Sequence, residues 1–118
     1  MELFVEYIAP STNAMYAGQH WTKRVKNKND AIMAVIVALN NNKQTFSKPV
    51  KIELLPHLGK GKKSYDVSNY SYTYKLIEDC LVSRKVLLND TTEFVKRVTL
   101  LSPIRSDRTG VKITISEI

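Results

Sequence analysis

Residues able to carry phosphate chemistry are concentrated between Lys60 and Asp90. The segment opens with the basic run Lys60-Gly61-Lys62-Lys63, and Asp66 follows directly. Lysines neutralise phosphate groups, and carboxylates contributed by separate elements hold the metal ions of many nucleases. This combination is typical of a protein that grips nucleic acid and cuts it. Spacing alone leaves a second interpretation open, because Asp66 and Asp90 both fit turn positions equally well.

The same segment is rich in tyrosine. Four of the six tyrosines, Tyr65, Tyr70, Tyr72 and Tyr74, fall within it. The last three alternate along the chain, so in an extended segment their rings would project from one side. Two roles stay open for them: stacking on or wedging between bases, and packing against a sheet or a second subunit.

The remaining reactive side chains point to no other chemistry. Cys80 is the one cysteine, which excludes an internal disulfide and a CxxC zinc site. Its apolar neighbours predict a buried structural thiol. His20 and His57 form no cluster in sequence, and each is predicted to be a hydrogen-bonded surface residue. The run Gly59-Lys60-Gly61-Lys62 lacks the spacing and the hydroxyl residue of a phosphate-binding P-loop.

Length and charge narrow the class of protein. The chain has 118 residues, which predicts a single domain spanning residues 1–118. Its formal net charge of +7 and sequence pI of about 9.6 favour a polyanionic partner such as DNA, RNA or an anionic membrane. No apolar run approaches the roughly 20 residues of a membrane span, and the N-terminus is acidic where a signal peptide is basic. We therefore expect a cytoplasmic protein that does not enter a membrane.

Hydrophobic periodicity predicts the elements that position these residues. Alternation indicates strands at residues 2–8, 50–55, 93–101 and 111–118, with the last two expected to pair antiparallel. Pro56 is predicted to end the second strand. Helical spacing indicates a helix at residues 30–39, with Asn29-Asp30 as its expected cap. The basic segment from Thr22 could add turns to its front, and the β-branched residues 35–37 make a strand the alternative. A second helix is indicated at residues 74–82, with Lys75, Glu78 and Asp79 on its polar side. The order β-α-β-α-β-β predicts an α+β domain, with helices on one face of a mixed or antiparallel sheet.

The order of these motifs resembles the RusA-type Holliday junction resolvases, which are small phage and prophage endonucleases. The similarity covers nearly the whole chain. Pro10-Ser11-Thr12-Asn13 with Tyr16 resembles the opening motif of that family. Asp66-Val67-Ser68-Asn69, then Lys75-Leu76-Ile77-Glu78-Asp79-Cys80-Leu81, resembles its Asp-x-Asp-Asn motif and the following helix. Asn89-Asp90 stands where the family has an Asp-Asp pair.

The resemblance implies a homodimeric endonuclease that depends on Mg²⁺ or Mn²⁺ and resolves four-way or otherwise branched DNA in the cytoplasm of a bacterial host. It implies that Asp66 and Asp90 bind the metal and that Lys75 is needed for catalysis. The residues expected to contact DNA are Lys23, Arg24, Lys60, Lys62, Lys63, Asn13, Asn69, Tyr70 and Tyr72.

Two departures from the family pattern keep alternatives open. Ser68 replaces an aspartate of the motif, and about three extra residues lie between Asn69 and Lys75. A neutral hydroxyl is a far poorer Mg²⁺ ligand than a carboxylate, and Asp79 is the residue that could compensate. One alternative is therefore a DNA-binding protein on the same fold with weakened cleavage. Another is a basic module that binds RNA or protein without any metal.

Overall fold

The computed structural model describes residues 1–18 and 20–118 as one compact domain of mixed helix and sheet. The strands are β1 (Glu2–Val5), β2 (Val50–Leu58), β3 (Val95–Leu100), β4 (Ile104–Arg105) and β5 (Gly110–Glu117). The helices are α1 (Thr12–Tyr16), α2 (Trp21–Leu39) and α3 (Ser71–Ser83), and a short 3₁₀ helix (Val67–Tyr70) leads directly into α3.

The five strands form one mixed sheet, as the sequence predicts. Its order is β1-β5-β2-β3, with β4 continuing beside β2 after β3 ends. β5 runs antiparallel to both β1 and β2, whereas β3 and β4 run parallel to β2. The predicted antiparallel pairing of the last two long strands is wrong, because β2 lies between β3 and β5. Alternation identifies a strand but carries no information about its neighbour.

β2 also continues past Pro56, where the sequence predicts its end. Proline removes one backbone donor, which is tolerated only where no strand needs that donor. The neighbour of β2 changes at this point. The Leu101 amide donates to Leu54 as β3 ends, and the parallel pairing resumes with β4 only at His57 and Ile104. The missing N–H of Pro56 therefore falls beside a break in the neighbouring edge.

The core lies between the helices and one face of the sheet. Alternate residues of β2 and β5 are buried on this face, and they share one apolar cluster with residues of α2 and α3. Fully buried examples are Ile52, Leu54 and Ile113 on the strands and Val35 and Ile77 on the helices. Each such side chain contributes roughly 1.5–3 kcal/mol by leaving water. This packing fixes α3 over the sheet and so fixes the residues that α3 carries.

α2 is longer than the prediction of 30–39, because it begins at Trp21. The cap is His20, whose ring nitrogen accepts the Thr22 amide, and not the predicted Asn29-Asp30 pair. The helix ends at Asn40, which adopts a left-handed conformation with φ 45° as a helix-terminating residue does. Because residues 35–37 lie within this helix, the alternative of a strand there is excluded. No helix in the described part of the chain is long and apolar enough to cross a lipid bilayer.

Candidate functional site

α3 and the loop after it bring three carboxylates together. Glu78 and Asp79 are consecutive on α3, and Asp90 approaches them from the loop that leaves the helix. One oxygen from each group lies within 4.8 Å of the others. Glu78 is buried, with 7% of its surface exposed, whereas Asp79 and Asp90 face solvent. We refer to Glu78, Asp79 and Asp90 as the acidic cluster.

The Lys75 ammonium lies among these carboxylates. It occupies the α3 position one turn before Glu78 and Asp79, so all three side chains share one side of the helix. Its Nζ is 3.4 Å from Glu78 Oε1, 3.1 Å from Asp79 Oδ1 and 3.1 Å from Asp90 Oδ2. Three ionised carboxylates and one ammonium leave a net charge of about −2, which suits a divalent cation.

The charges in the cluster shift each other's proton affinity. The hydrogen bond to Asp79, followed by the bond to Asp90, raises the pKa of Lys75 above its ordinary range. In return, the hydrogen bond from Lys75 and its positive charge lower the pKa of Asp90. Both shifts favour the charged forms, so Lys75 and Asp90 stabilise each other as an ion pair.

Tyr74 fixes the buried member of the cluster. Its hydroxyl donates to Glu78 Oε2 at 2.6 Å, and this bond lies in the protein interior. Burial, and next the bond to Glu78, raise the pKa of Tyr74 far above its ordinary value. The phenol therefore stays protonated and holds one carboxylate oxygen, while Glu78 Oε1 faces Lys75. The sequence offered no sign of this role, because Glu78 lies on the helix face predicted to be polar and exposed.

The donor set is compatible with a hard divalent metal. Mg²⁺ binds oxygens at about 2.0–2.1 Å, which puts ligands on opposite sides of the ion about 4.2 Å apart. At most one pair of the three oxygens can lie on opposite sides of the ion, and neighbouring ligands of an octahedral ion are about 3.0 Å apart, so oxygens within 4.8 Å of one another have to close by up to about 1.8 Å. Rotation of the exposed Asp79 and Asp90 side chains can make that adjustment.

Asp66, a metal ligand in the sequence-based prediction, lies outside this cluster. It is exposed at the residue before the 3₁₀ helix, and its side chain makes no capping bond there. Ser68, which replaces the family aspartate, is exposed on the same turn. The structure thus assembles the predicted Asp90 and Asp79 with Lys75, but it supplies the buried Glu78 as the third carboxylate where the prediction had Asp66.

The opening motif is tied to the segment before α3. Thr12 Oγ1 hydrogen-bonds Ser71 Oγ at 2.8 Å, approaches the Asn69 carbonyl at 3.2 Å and accepts the Tyr72 amide at 3.1 Å. The Asn69 side-chain oxygen accepts the Asn13 amide at 3.0 Å. Asn69 therefore has a structural bond in addition to its predicted contact with DNA, while the Asn13 side chain remains exposed.

The tyrosines do not project from one side as predicted, because their segment is helical. Tyr70 is fully buried and its hydroxyl accepts the Tyr65 amide, so its ring cannot stack on a base without leaving the core. This corrects the expectation that Tyr70 contacts DNA. Tyr72 is half-buried, and its hydroxyl lies 3.4 Å from the Asn27 amide nitrogen. The packing interpretation therefore holds for Tyr70 and for the buried Tyr74.

Two other aromatic rings are exposed where stacking needs them. Tyr16, at the end of α1, is 76% exposed, and Trp21, the first residue of α2, is 66% exposed. Trp21 is followed on α2 by the exposed cations Lys23 and Arg24, which were predicted to contact phosphates. Rings beside cations are typical of surfaces that bind single-stranded nucleic acid. The sequence signal for Trp21 was its position within a basic run.

The basic loop after β2 (residues 59–63) has a defined shape. Arg105 donates from its guanidinium to the Lys62 carbonyl at 2.7 Å, and the Gly59 amide donates to Thr109 Oγ1 at 3.0 Å. Gly61 adopts a φ of +82°, which few other residues tolerate. With the backbone held, the ammonium groups of Lys60 and Lys63 remain exposed, as their predicted role requires.

The chain matches no protein-family model and no curated protein.

Proposed function

We propose that this protein is a metal-dependent endonuclease that acts on branched DNA, in the manner implied by its resemblance to the RusA-type resolvases. The observation that carries the proposal is the meeting of Glu78, Asp79 and Asp90 around the Lys75 ammonium. Hard carboxylate ligands beside a lysine at a solvent-facing site form the donor set that phosphodiester cleavage uses.

The three carboxylates of the acidic cluster would have different roles, because they differ in burial. Glu78, held by Tyr74, would supply a fixed ligand oxygen, and the exposed Asp79 and Asp90 would supply the others. Mg²⁺ or Mn²⁺ held there would polarise a water and neutralise charge on the phosphate. The Lys75 ammonium would donate to a phosphate oxygen and stabilise the negative charge of the transition state.

Affinity for DNA would come from charge outside the cluster. Exposed cations precede the cluster in sequence, on the first turns of α2 and in the basic loop (residues 59–63). Each phosphate that a lysine or arginine neutralises releases a counterion, so binding should weaken steeply as salt rises. Paired nicks across a four-way junction require two sites related by a two-fold axis, which is why the proposal includes a homodimer.

A labelled four-way junction with Mg²⁺ or Mn²⁺ tests this function. We expect symmetric nicks with the wild-type chain and at least a hundredfold slower cleavage with Asp90→Asn or Asp79→Asn, because each removes a ligand charge. Glu117→Gln is the matched control, since Glu117 is an exposed carboxylate at the end of β5. Absence of cleavage by the wild-type chain with either metal would reject the nuclease proposal. Sedimentation of the protein, alone and with the junction, tests the dimer.

A DNA-binding protein without cleavage is the second candidate. The observation that favours it is the position of Asp66 outside the acidic cluster, together with the neutral Ser68 two residues later. This candidate predicts salt-sensitive junction binding that is the same with and without metal. Cleavage that appears in Ser68→Asp and is absent from the wild-type chain would support it against the first proposal.

A further inference from the structure

A cationic cavity lies at the other end of α3. It has a volume of about 290 Å³ and is formed where the C-terminal ends of α2 and α3 meet the segment after α2. Lys43, Arg84 and Lys85 contribute the charged groups, and Asn41, Asn42 and Thr45 contribute further polar groups. Ile36 and Leu39 form its apolar part. No acidic residue is among the described residues that line it.

Charge decides what this cavity can hold. The C-terminal ends of two helices carry about −0.5 each, which disfavours an anion. Three cationic side chains outweigh that contribution and leave roughly +2. The conventional role of a cation at a helix end is to balance the dipole of that helix, and about one charge suffices for both helices here. The surplus charge attracts anions to the cavity, and an anion of about −2 would match it.

Between the cationic cavity and the acidic cluster, α2 and α3 pack side by side. A second cavity between these helices, of about 190 Å³, is lined by Lys28 and Ile32 from α2 and by Asp79 and Ser83 from α3. Asp79 belongs to the acidic cluster, and Ser83 is followed directly by Arg84. From Asp79 to Arg84 the rise along α3 is about 7.5 Å.

A polynucleotide strand carries phosphates at short intervals, about every 3.4 Å along the axis of a B-form duplex. A strand held at the acidic cluster would therefore carry further phosphates near the C-terminal end of α3, where the cationic cavity lies. We propose that the cavity formed by Lys43, Arg84 and Lys85 binds a phosphate group of the nucleic-acid strand whose scissile phosphate lies at the cluster. The inference rests on the proposed nuclease function for its choice of ligand.

Titration with inorganic phosphate, followed by NMR of the backbone amides and with EDTA present, tests the cavity apart from any cleavage. We expect phosphate to shift the amides of Asn42 and Arg84, and we expect Lys43→Gln/Arg84→Gln to remove the shifts. The matched control is Lys51→Gln/Arg97→Gln, which loses the same charge. Lys51 and Arg97 are exposed cross-strand neighbours on β2 and β3.

Oligonucleotide binding without metal then identifies the source of the phosphate. Lys43→Gln/Arg84→Gln should weaken binding about tenfold near 0.1 M salt and lower the salt slope by about one to two, while the control changes both far less. Phosphate binding with unchanged oligonucleotide affinity would mean a free phosphate is the ligand and would overturn the inference. Absence of phosphate shifts would overturn it as well. Neither readout depends on cleavage, so a failed cleavage assay leaves the inference testable.

Discussion

Lys75 Nζ lies 3.1 Å from Asp90 Oδ2, although 15 residues of chain separate the two. The contact links the middle of α3 to the loop beyond its end, and it places a monovalent cation among the carboxylates that could bind a divalent one. On the proposed function, a metal ion would compete with Lys75 for the same oxygens. Lys75 would have to release its carboxylates for the metal to bind, and its ammonium would then be free for a phosphate.

This competition predicts the effect of Lys75→Met. Removing the ammonium removes its repulsion of the metal and its hold on Asp79 and Asp90. At the screening typical of a partly exposed site we expect Mn²⁺ to bind about tenfold more tightly to the variant. Junction cleavage should nevertheless be lost, because the group that meets the phosphate is gone. Calorimetric titration with Mn²⁺ measures the first effect, and the junction assay measures the second.

Lys26→Met is the control for that comparison. Lys26 pairs with Asp30 at 2.6 Å on α2, so it is also a lysine bound to a carboxylate, but it has no place in the acidic cluster. Its substitution should leave Mn²⁺ affinity unchanged. Equal or weaker Mn²⁺ binding by Lys75→Met would show that the ammonium does not occupy the metal position.

The titration of Asp90 gives a second prediction. Because the hydrogen bond from Lys75 lowers its pKa, Asp90 should titrate below the ordinary value of 3.8 in the wild-type chain. In Lys75→Met it should return toward that value. Carboxyl NMR from pH 7 to pH 2 follows both. An Asp90 signal that titrates at the same pH in both proteins would mean that the contact is not maintained in solution.

The sign of the linked stability change follows. A carboxyl whose pKa is lower in the folded than in the unfolded protein stabilises the fold above the unfolded pKa, and the contribution disappears as pH falls through the folded pKa. The wild-type chain should therefore gain thermal stability over Lys75→Met near neutral pH. The gain should vanish as pH falls through the lowered pKa of Asp90 in the wild-type chain, below which Asp90 is protonated in both proteins. Melting temperatures across this range measure it.

Local pattern predicted the strands and helices better than their arrangement. The helix around Cys80 and the strands that became β2, β3 and β5 follow from periodicity, because burial imposes it on each element separately. Pairing does not follow from it, since β5 joins β2 through contacts distant in sequence. The prediction that β2 ends at Pro56 was wrong for the same reason, because the effect of the missing N–H donor depends on which strand lies beside it.

The residues of the candidate site also fall into those that the sequence identified and those that only the folded structure shows. Lys75, Asp79 and Asp90 were identified through the resemblance to the RusA-type family, and Asp90 also through its position where a loop meets a regular element. Glu78 was not, because its importance comes from burial against Tyr74, which only the packed core decides. The prediction for Tyr70 failed for the same reason. An extended segment would expose its ring to DNA, but the segment is helical and the ring is fully buried.

Thr12 gives a third prediction. Its hydroxyl connects the opening motif to Ser71 and to the Tyr72 amide at the start of α3. Thr12→Val keeps the shape but removes these bonds, and we expect a loss of about 1–3 kcal/mol in the free energy of unfolding. Thr12→Ser, which keeps the hydroxyl, should stay close to wild type. Denaturant unfolding measures both, and hydrogen exchange at the Tyr72 amide should accelerate only in the valine variant.

The fourth prediction concerns Tyr74. It tests whether Glu78 only supports the fold or also binds a metal. Tyr74→Phe removes the one hydroxyl that donates to the buried Glu78 Oε2, which leaves a carboxylate oxygen in the interior without that donor. We expect the free energy of unfolding to fall by about 1–3 kcal/mol relative to the wild-type chain, because a buried acceptor without its hydrogen bond is desolvated without compensation.

Mn²⁺ affinity should also fall in Tyr74→Phe, since Glu78 is no longer held in place for the ion. Tyr16→Phe is the control, because the Tyr16 side chain is 76% exposed and the loss of its hydroxyl should change neither quantity. Denaturant unfolding and Mn²⁺ titration of both variants provide the comparison. Lower stability with unchanged Mn²⁺ affinity would mean that Glu78 supports α3 alone, and the metal would then have to be held by Asp79 and Asp90 without it.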